Sequence, residues 1–202
     1  RGVFTAEELR DLFPAEGPGP WGDHQTYTCF LLAATTGMRC GEVLALRWRD
    51  VDFEASTVTI VRAWKDRTTV GPPKSGKPRA APLPPTTVST LERLRAESRR
   101  SADDDLVFCY VDGSRLGGTW WRKRFVTAMK RAGLDREGRN LQPHSLRHSL
   151  ATILEARDYN PRKIRAALGW SGERIRENYS HLNGDDLREQ AEIVEGVLQQ
   201  KP

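Results

Sequence analysis

Two of the four histidines in the chain, His144 and His148, lie within "PHSLRHSLAT" (residues 143–152), on either side of Arg147. On a helix, residues three and four apart share a face. Pro143 suits a first helical turn, where a missing N–H costs nothing. The N-terminus of a helix presents free N–H groups and the positive end of its dipole, so imidazole and guanidinium gathered there suit a phosphate. A second stretch, "TGMRCGEVLAL", sets Arg39 at the mouth of a helix with Glu42 three residues on. A third, "PPKSGKPR", carries Lys74, Lys77 and Arg79 around a tight turn, and a fourth, "ALGWSGERIRENYSHL", holds Trp170 and Tyr179. Taken singly, each has a simpler explanation: a polar surface helix, a structural Arg39–Glu42 pair, a turn kept soluble by charge, and aromatic residues packed in a core.

Taken together and in this order, the set Arg, Lys, His-x-x-Arg, Trp, Tyr resembles the tyrosine recombinase (phage integrase) family. "TGMRCGEVLALRWRDVDF" is similar to the family's first-arginine box, "PHSLRHSLAT" to its His-x-x-Arg box and "LGWSGERIRENYSHL" to its nucleophile box. The resemblance runs from "FTAEEL" to the last helix. It implies cleavage of one DNA strand by a tyrosine, through a 3′-phosphotyrosyl link that needs neither metal nor cofactor. Carried over by motif, Tyr179 is the nucleophile and Arg39 and Arg147 clamp the phosphate oxygens. Lys74 is the general acid, with Lys77 as its rival. His144 assists at the tyrosine side, Trp170 donates its indole N–H to the phosphate, and Glu42 supports the site. Many members have histidine where Trp170 stands, and an indole binds but does not shuttle protons. His181 matches the family's Tyr-x-His without an assigned role, and His148 reads as structural.

The chemistry fits these assignments. A free phenol ionises near pH ~10 and needs a base and surrounding positive charge to attack. Pentavalent phosphorus gathers charge on its equatorial oxygens, which preorganised guanidiniums stabilise. A departing 5′-alkoxide needs a proton donor.

The elements that must position these residues are legible in outline. Thr5 and Glu8 form a capping box that opens a short helix. A mostly buried helix runs from Asp23 to Gly37, and "RCGEVLALRW" reads as a second, short one. "STVTIVRAW" is β-branched and alternating, hence one strand, and "RTTVGPPKSGKPRAAPL" reads as a strand, a turn at Ser75-Gly76 and a return strand. Helices are expected over "PPTTVSTLERLRAESRR" and near 118–132, 143–156, 161–168, 172–181 and 185–199. Leu146, Leu150, Ile153 and Leu154 form the core stripe of the 143–156 helix. The fold class is α+β, mainly helical, with a small three-stranded antiparallel sheet, and residues 1–202 form one catalytic domain. The chain opens on Arg1, as expected of a piece of a longer protein, and the helical DNA-clamping domain that precedes "FTAEEL" in the family is expected to lie outside it.

Bulk composition agrees. Lys and Arg number 32 against 27 Asp and Glu, a net charge of +5 that allows a polyanionic partner without demanding one. Candidate DNA contacts are Arg122, Lys123 and Arg124 in "WWRKRF", and Arg162 and Lys163 in "PRKIR". Cys29, Cys40 and Cys109 are scattered and show neither a zinc pattern nor a disulfide framework. No apolar run reaches bilayer length, and a cytoplasmic setting is expected. The expected partner is double-stranded DNA, with a tetramer on paired sites and at most a weak oligomer without DNA. The final helix, with Leu187, Ala191, Val194 and Leu198 spaced for packing, can dock on its own chain or on a neighbour. Alternative readings are a type IB topoisomerase and a non-catalytic helix-turn-helix regulator; a metal nuclease built on Asp103, Asp104 and Asp105 is disfavoured by their contiguity.

Overall fold

A computed structural model describes residues 2–134, 138–170 and 182–199. The chain opens with α1 (Ala6–Leu12), capped as expected: the Thr5 hydroxyl accepts from Glu8 N–H at 3.2 Å and the Glu8 carboxylate accepts from Thr5 N–H at 2.9 Å. Phe4 N–H donates to the Ser149 hydroxyl at 2.7 Å, tying the N-terminal segment to a helix far along the chain. A 3-10 turn at Gly19–Trp21 leads to α2 (His24–Thr36), which is buried on every side from Thr26 onward. A helix apolar all round belongs at the centre of a fold. Its Phe30 packs ring against ring with Trp21, Trp121 and Phe125, Trp21 and Phe30 stacked with centroids 4.3 Å apart.

Gly37 ends α2 in the left-handed region at φ 64°. A side chain there would also collide with the Leu168 side chain 2.3 Å away. Glycine is thus required both by conformation and by the close approach of a later helix.

The following helix is shorter than its sequence pattern predicts. It comprises α3 (Cys40–Val43) alone. Beyond Ala45 the backbone is claimed by a distant loop: Val107 N–H donates to Leu46 O and Trp48 N–H to Asp105 O. A second 3-10 turn, Trp48–Asp50, then delivers the chain to the sheet.

The three-stranded antiparallel sheet is present, but one member differs from expectation. Its order is β1 (Val51–Asp52), β2 (Thr57–Ile60), β5 (Arg79–Pro82), with Val58 opposite Ala81 and Ile60 opposite Arg79. The predicted continuous strand over residues 56–64 breaks after Ile60. Its tail, β3 (Ala63–Trp64), pairs instead with β4 (Val70–Gly71) in a separate ribbon. Two contacts explain the break. Arg62 turns back to the buried Asp50 carboxylate, and the Trp64 indole donates to Leu44 O at 3.0 Å, drawing β3 onto α3.

The remainder is helical: α4 (Pro85–Glu97), α5 (Gly118–Arg131), α6 (Pro143–Glu155), α7 (Pro161–Leu168) and α8 (Gly184–Gln199). Leu146, Leu150 and Leu154 of α6 are buried and Ile153 half-buried, the predicted stripe. The helix expected over 172–181 lies outside the described residues. No helix among the described residues is long and apolar enough to cross a membrane.

The final helix packs on its own chain, against α1, α4, α6 and β5. The Glu195 carboxylate accepts from the Thr86 hydroxyl at 2.6 Å, and Arg10 donates to Val197 O at 3.2 Å. Val194 joins Leu150, Leu154, Ile164 and Leu168 in a second apolar cluster. One residue in this seam is costly. Gln190 is fully buried, and neither its amide oxygen nor its amide nitrogen has a hydrogen-bond partner among the described residues. An unsatisfied buried polar group costs about 1–3 kcal/mol. Gln190→Leu is therefore expected to raise stability by about 1–2 kcal/mol, read as an upward shift in the urea midpoint with an unchanged slope; a lower midpoint would contradict this account of the seam.

Candidate functional site

Helix ends build the site. α2 stops at Gly37, two residues later Arg39 stands at the N-terminus of α3, and the Glu42 carboxylate reaches back to accept from Arg39 N–H at 2.9 Å. Glu42 is 1% exposed. A carboxylate so deep needs strong partners. Arg39 supplies one, Nη1 to Oε1 at 3.2 Å. Arg79, at the start of β5, supplies two parallel bonds, Nη1 to Oε1 at 3.1 Å and Nη2 to Oε2 at 2.7 Å. Each carboxylate oxygen thus accepts two hydrogen bonds, filling its lone-pair sites. Burial is the largest single influence on this carboxyl and would raise it. The Arg79 hydrogen bonds and charge, with those of Arg39, together outweigh burial and hold it below its ordinary 4.5.

Arg147 projects from α6 into the same region and is 2% exposed. Its two terminal nitrogens donate to the backbone carbonyls of Gly37 and Leu168. Its guanidinium carbon lies 5.7 Å from the Trp170 ring centroid. Burial, and then the like charges of Arg39 and Arg79, push this guanidinium down to about 9, with Glu42 opposing, so it remains cationic at neutral pH. Its Nε is buried with no partner among the described residues. Buried donors are rarely left so.

The C-terminal turn of α7 joins the three arginines. Arg79 Nε donates to Ala167 O at 3.1 Å, Arg147 to Leu168 O, and Arg39 Nη2 to Gly169 O at 3.4 Å. The last carbonyls of a helix lack internal partners and form the negative end of its dipole. Three consecutive carbonyls therefore each hold one guanidinium. Gly169 caps α7 at φ 58°, and Trp170 follows at once, its N–H bonded to Arg165 O at 2.9 Å.

Other predicted site residues fall around this cluster. His144 is exposed at the start of α6 and meets His148 edge-on, ring centroids 4.7 Å apart. With Asn140, Gln142 and Ser145 they line an open cavity of about 310 Å3. Arg147, expected on the same side of the helix, turns inward instead, towards the ends of α2 and α7. Lys74 and Lys77 are both exposed in the loop before β5, around the predicted turn, where Gly76 has φ 75° and donates to Pro73 O at 2.8 Å. Tyr179 and His181 lie outside the described residues.

The α5 helix buries Trp121, Phe125, Ala128 and Met129 and exposes Arg122, Lys123, Arg124 and Lys130. Arg124 is partly committed, 3.6 Å from Asp23 and stacked near Trp120. Arg162 is exposed beside the Asn160 cap of α7. Lys163, expected to face DNA, fastens α7 to α8 instead, 2.6 Å from Asp186 and 3.4 Å from Glu189. The acidic run is neutralised by arginines: Asp104 meets Arg47 and Arg49, and Asp103 meets Arg95. No grouping of metal-binding side chains occurs among the described residues.

Arg79 is the residue that sequence reasoning passed over, counting it among the soluble charges of a hairpin. Its position at the first residue of a strand that then reads "AAP" was the available signal.

A carboxyl held low in the fold adds stability above its ordinary value, and that stability is lost as pH falls through the folded value. Unfolding should therefore become easier as pH drops below 4.5. Glu42→Gln should flatten that dependence and cost about 3–5 kcal/mol at pH 7. Urea midpoints across pH 3–7 measure both, and an unaltered acid limb would refute the assignment.

Residues 3–185 match the sequence profile of the Phage integrase family. The chain is 30% identical over 201 residues to the tyrosine recombinase XerA of Thermococcus onnurineus, covering 97% of this chain and 64% of that protein. It is 28% identical over 189 residues to the tyrosine recombinase XerC of Xanthomonas axonopodis pv. citri, covering 92% of this chain and 55% of the relative. The fold is similar to a crystal structure of XerA recombinase, with TM-score 0.67 at 26% identity over 94% of this chain and 63% of the other. It is also similar to the Tn1549 transposon integrase in complex with transposon right end DNA, with TM-score 0.70 at 20% identity over 95% of this chain and 65% of the other. The chain thus spans roughly half to two thirds of the length of the curated relatives it matches, and on the match over nearly its whole length it belongs to the phage integrase family of tyrosine recombinases.

Proposed function

We propose that this chain is the catalytic domain of a site-specific DNA recombinase that breaks and rejoins strands through a 3′-phosphotyrosyl intermediate. The observation that carries the reading is the meeting of Arg39 and Arg147, from distant segments, at one helix end, with a buried guanidinium N–H of Arg147 that has no partner among the described residues. Such a donor arrangement suits a phosphodiester, whose oxygens accept from fixed N–H groups at no reorganisation cost.

In this mechanism the Tyr179 oxygen attacks phosphorus while His144 takes the phenolic proton. The bond to the 5′ oxygen breaks, and Lys74 gives that oxygen a proton, releasing a 5′-hydroxyl. Arg39 and Arg147 bind the equatorial oxygens, and the Trp170 indole N–H donates to one of them. Attack by a 5′-hydroxyl of another strand reverses each transfer, so the phosphoester bond energy is conserved. Lys74 precedes the turn and Lys77 follows it, and Lys74 is the chosen acid by its motif.

Duplex DNA is the proposed partner, in line with the DNA complex of the transposon integrase that this fold resembles. The exposed cations of α5 run beside aromatic anchors and suit phosphate contacts. Assembly as a tetramer on paired sites, and action in the cytoplasm where chromosomal DNA lies, complete the proposal.

The test is incubation with nicked duplexes of randomised sequence, followed by denaturing electrophoresis. A covalent protein–DNA adduct is expected for the unaltered chain, none for Tyr179→Phe, and a severe slowing for Lys74→Ala but not Lys77→Ala. Absence of any adduct across the sequence pool would overturn the enzymatic reading. For DNA contacts, Arg122→Gln with Lys123→Gln should weaken duplex binding and reduce the slope of log affinity against log salt by about 2. Arg124→Gln should do less, since Asp23 already faces that side chain. An unchanged slope would remove α5 from the interface.

A further inference from the structure

We propose that Arg79 is a positioning residue of the phosphate site, neutralising and anchoring Glu42 so that Arg39 keeps both its charge and its place; this rests on the recombinase reading. The argument begins with commitment. Arg79 gives all three of its nitrogens to the protein: two to the Glu42 carboxylate and Nε to Ala167 O. Its side chain is 9% exposed, against 25% for Arg39. Arg79 is thus a buried fastening, whereas Arg39 keeps an open edge for a ligand.

Charge is the second part. Around the end of α7 stand three guanidiniums and one carboxylate, a net of two positive charges. A phosphodiester carries one negative charge, and attack by an ionised phenol adds a second at the pentavalent stage. With Arg79 removed, Glu42 and Arg39 cancel, and the net positive charge of the cluster falls to that of Arg147, which is 2% exposed and bonded through both terminal nitrogens to backbone carbonyls. Complementarity to the transition state, rather than to the bound ester, is what accelerates a reaction.

Geometry is the third. Arg79 links β5, α3 and the last turn of α7 through one planar group. A lysine carries the charge but cannot make the paired bonds or reach the third acceptor. Small displacements of phosphate-binding groups are costly to rate.

The test compares Arg79→Met, Arg79→Lys and the double variant Arg79→Met/Glu42→Gln with the unaltered chain. Two readouts are used: calorimetric titration of inorganic phosphate, and single-turnover adduct formation on nicked duplex at saturating protein. Arg79→Met should weaken phosphate binding about tenfold and slow adduct formation on the order of 100-fold, with duplex affinity nearly unchanged. Removing the stranded carboxylate in the double variant should restore part of both losses, and Arg79→Lys should fall between. A merely architectural Arg79 would make the double variant worse than the single one, and that result overturns the proposal. So does an Arg79→Met chain that binds phosphate and forms adduct as the unaltered chain does. Should Arg79→Met not fold, Arg79→Lys and Arg79→Lys/Glu42→Gln are read by the same criterion. An unaltered chain that binds phosphate yet never forms adduct sinks the recombinase reading, while the phosphate arm still reports on Arg79.

Discussion

Glu42 is a carboxylate almost wholly removed from water, and a buried charge survives only if its partners are numerous and well aimed. Two guanidiniums meet that demand from opposite directions, one from its own helix and one from the strand that closes the sheet. The consequence reaches beyond the pair. Holding the carboxylate draws β5 against α3, fixes Arg39 at the mouth of its helix, and brings the last turn of α7 within reach of both arginines.

The second element of the design is the use of helix ends. α2 and α7 both terminate in left-handed glycines, and terminal carbonyls have no partner within their own helices. Arg147 accepts that offer from both, bonding Gly37 O and Leu168 O. The close contact that forbids a side chain at Gly37 is contact with Leu168, so the same approach that packs the helices also sets the distance between the carbonyls Arg147 spans. Packing and polar satisfaction are one arrangement here, and it holds three guanidiniums around a single carboxylate. Burial first, and then the nearby charges of Arg39 and Arg79, depress the affinity of Arg147 for its proton.

Much of this was legible in local sequence because local rules dominate at helix starts and stops. The capping box at Thr5, the glycine stop of α2, the apolar stripe of α6 and the turn at Gly76 all depend on neighbours within a few residues. Expectations failed where a distant partner competed. The helix after Arg39 is cut short because Leu46 and Trp48 bond to residues 105 and 107. The strand expected over 56–64 splits because Arg62 and Trp64 each find a partner off the sheet. Lys163 looked like one of several basic residues on a surface helix, and only the arrival of α8 converts it into a tether.

Local sequence carries the residue types and their order: an arginine three residues before a glutamate, a His-x-x-Arg at a helix start, and a tryptophan just after a glycine-capped helix. These follow from motif spacing and backbone propensity, which act over short range. Only the folded chain shows that Arg79 belongs with Glu42, that Arg147 turns inward while His144 faces a cavity, and that Lys163 ties α7 to α8. Such matters depend on which charged group meets which after the chain has closed, because the cost of burying a charge is set by partners that sequence distance does not reveal.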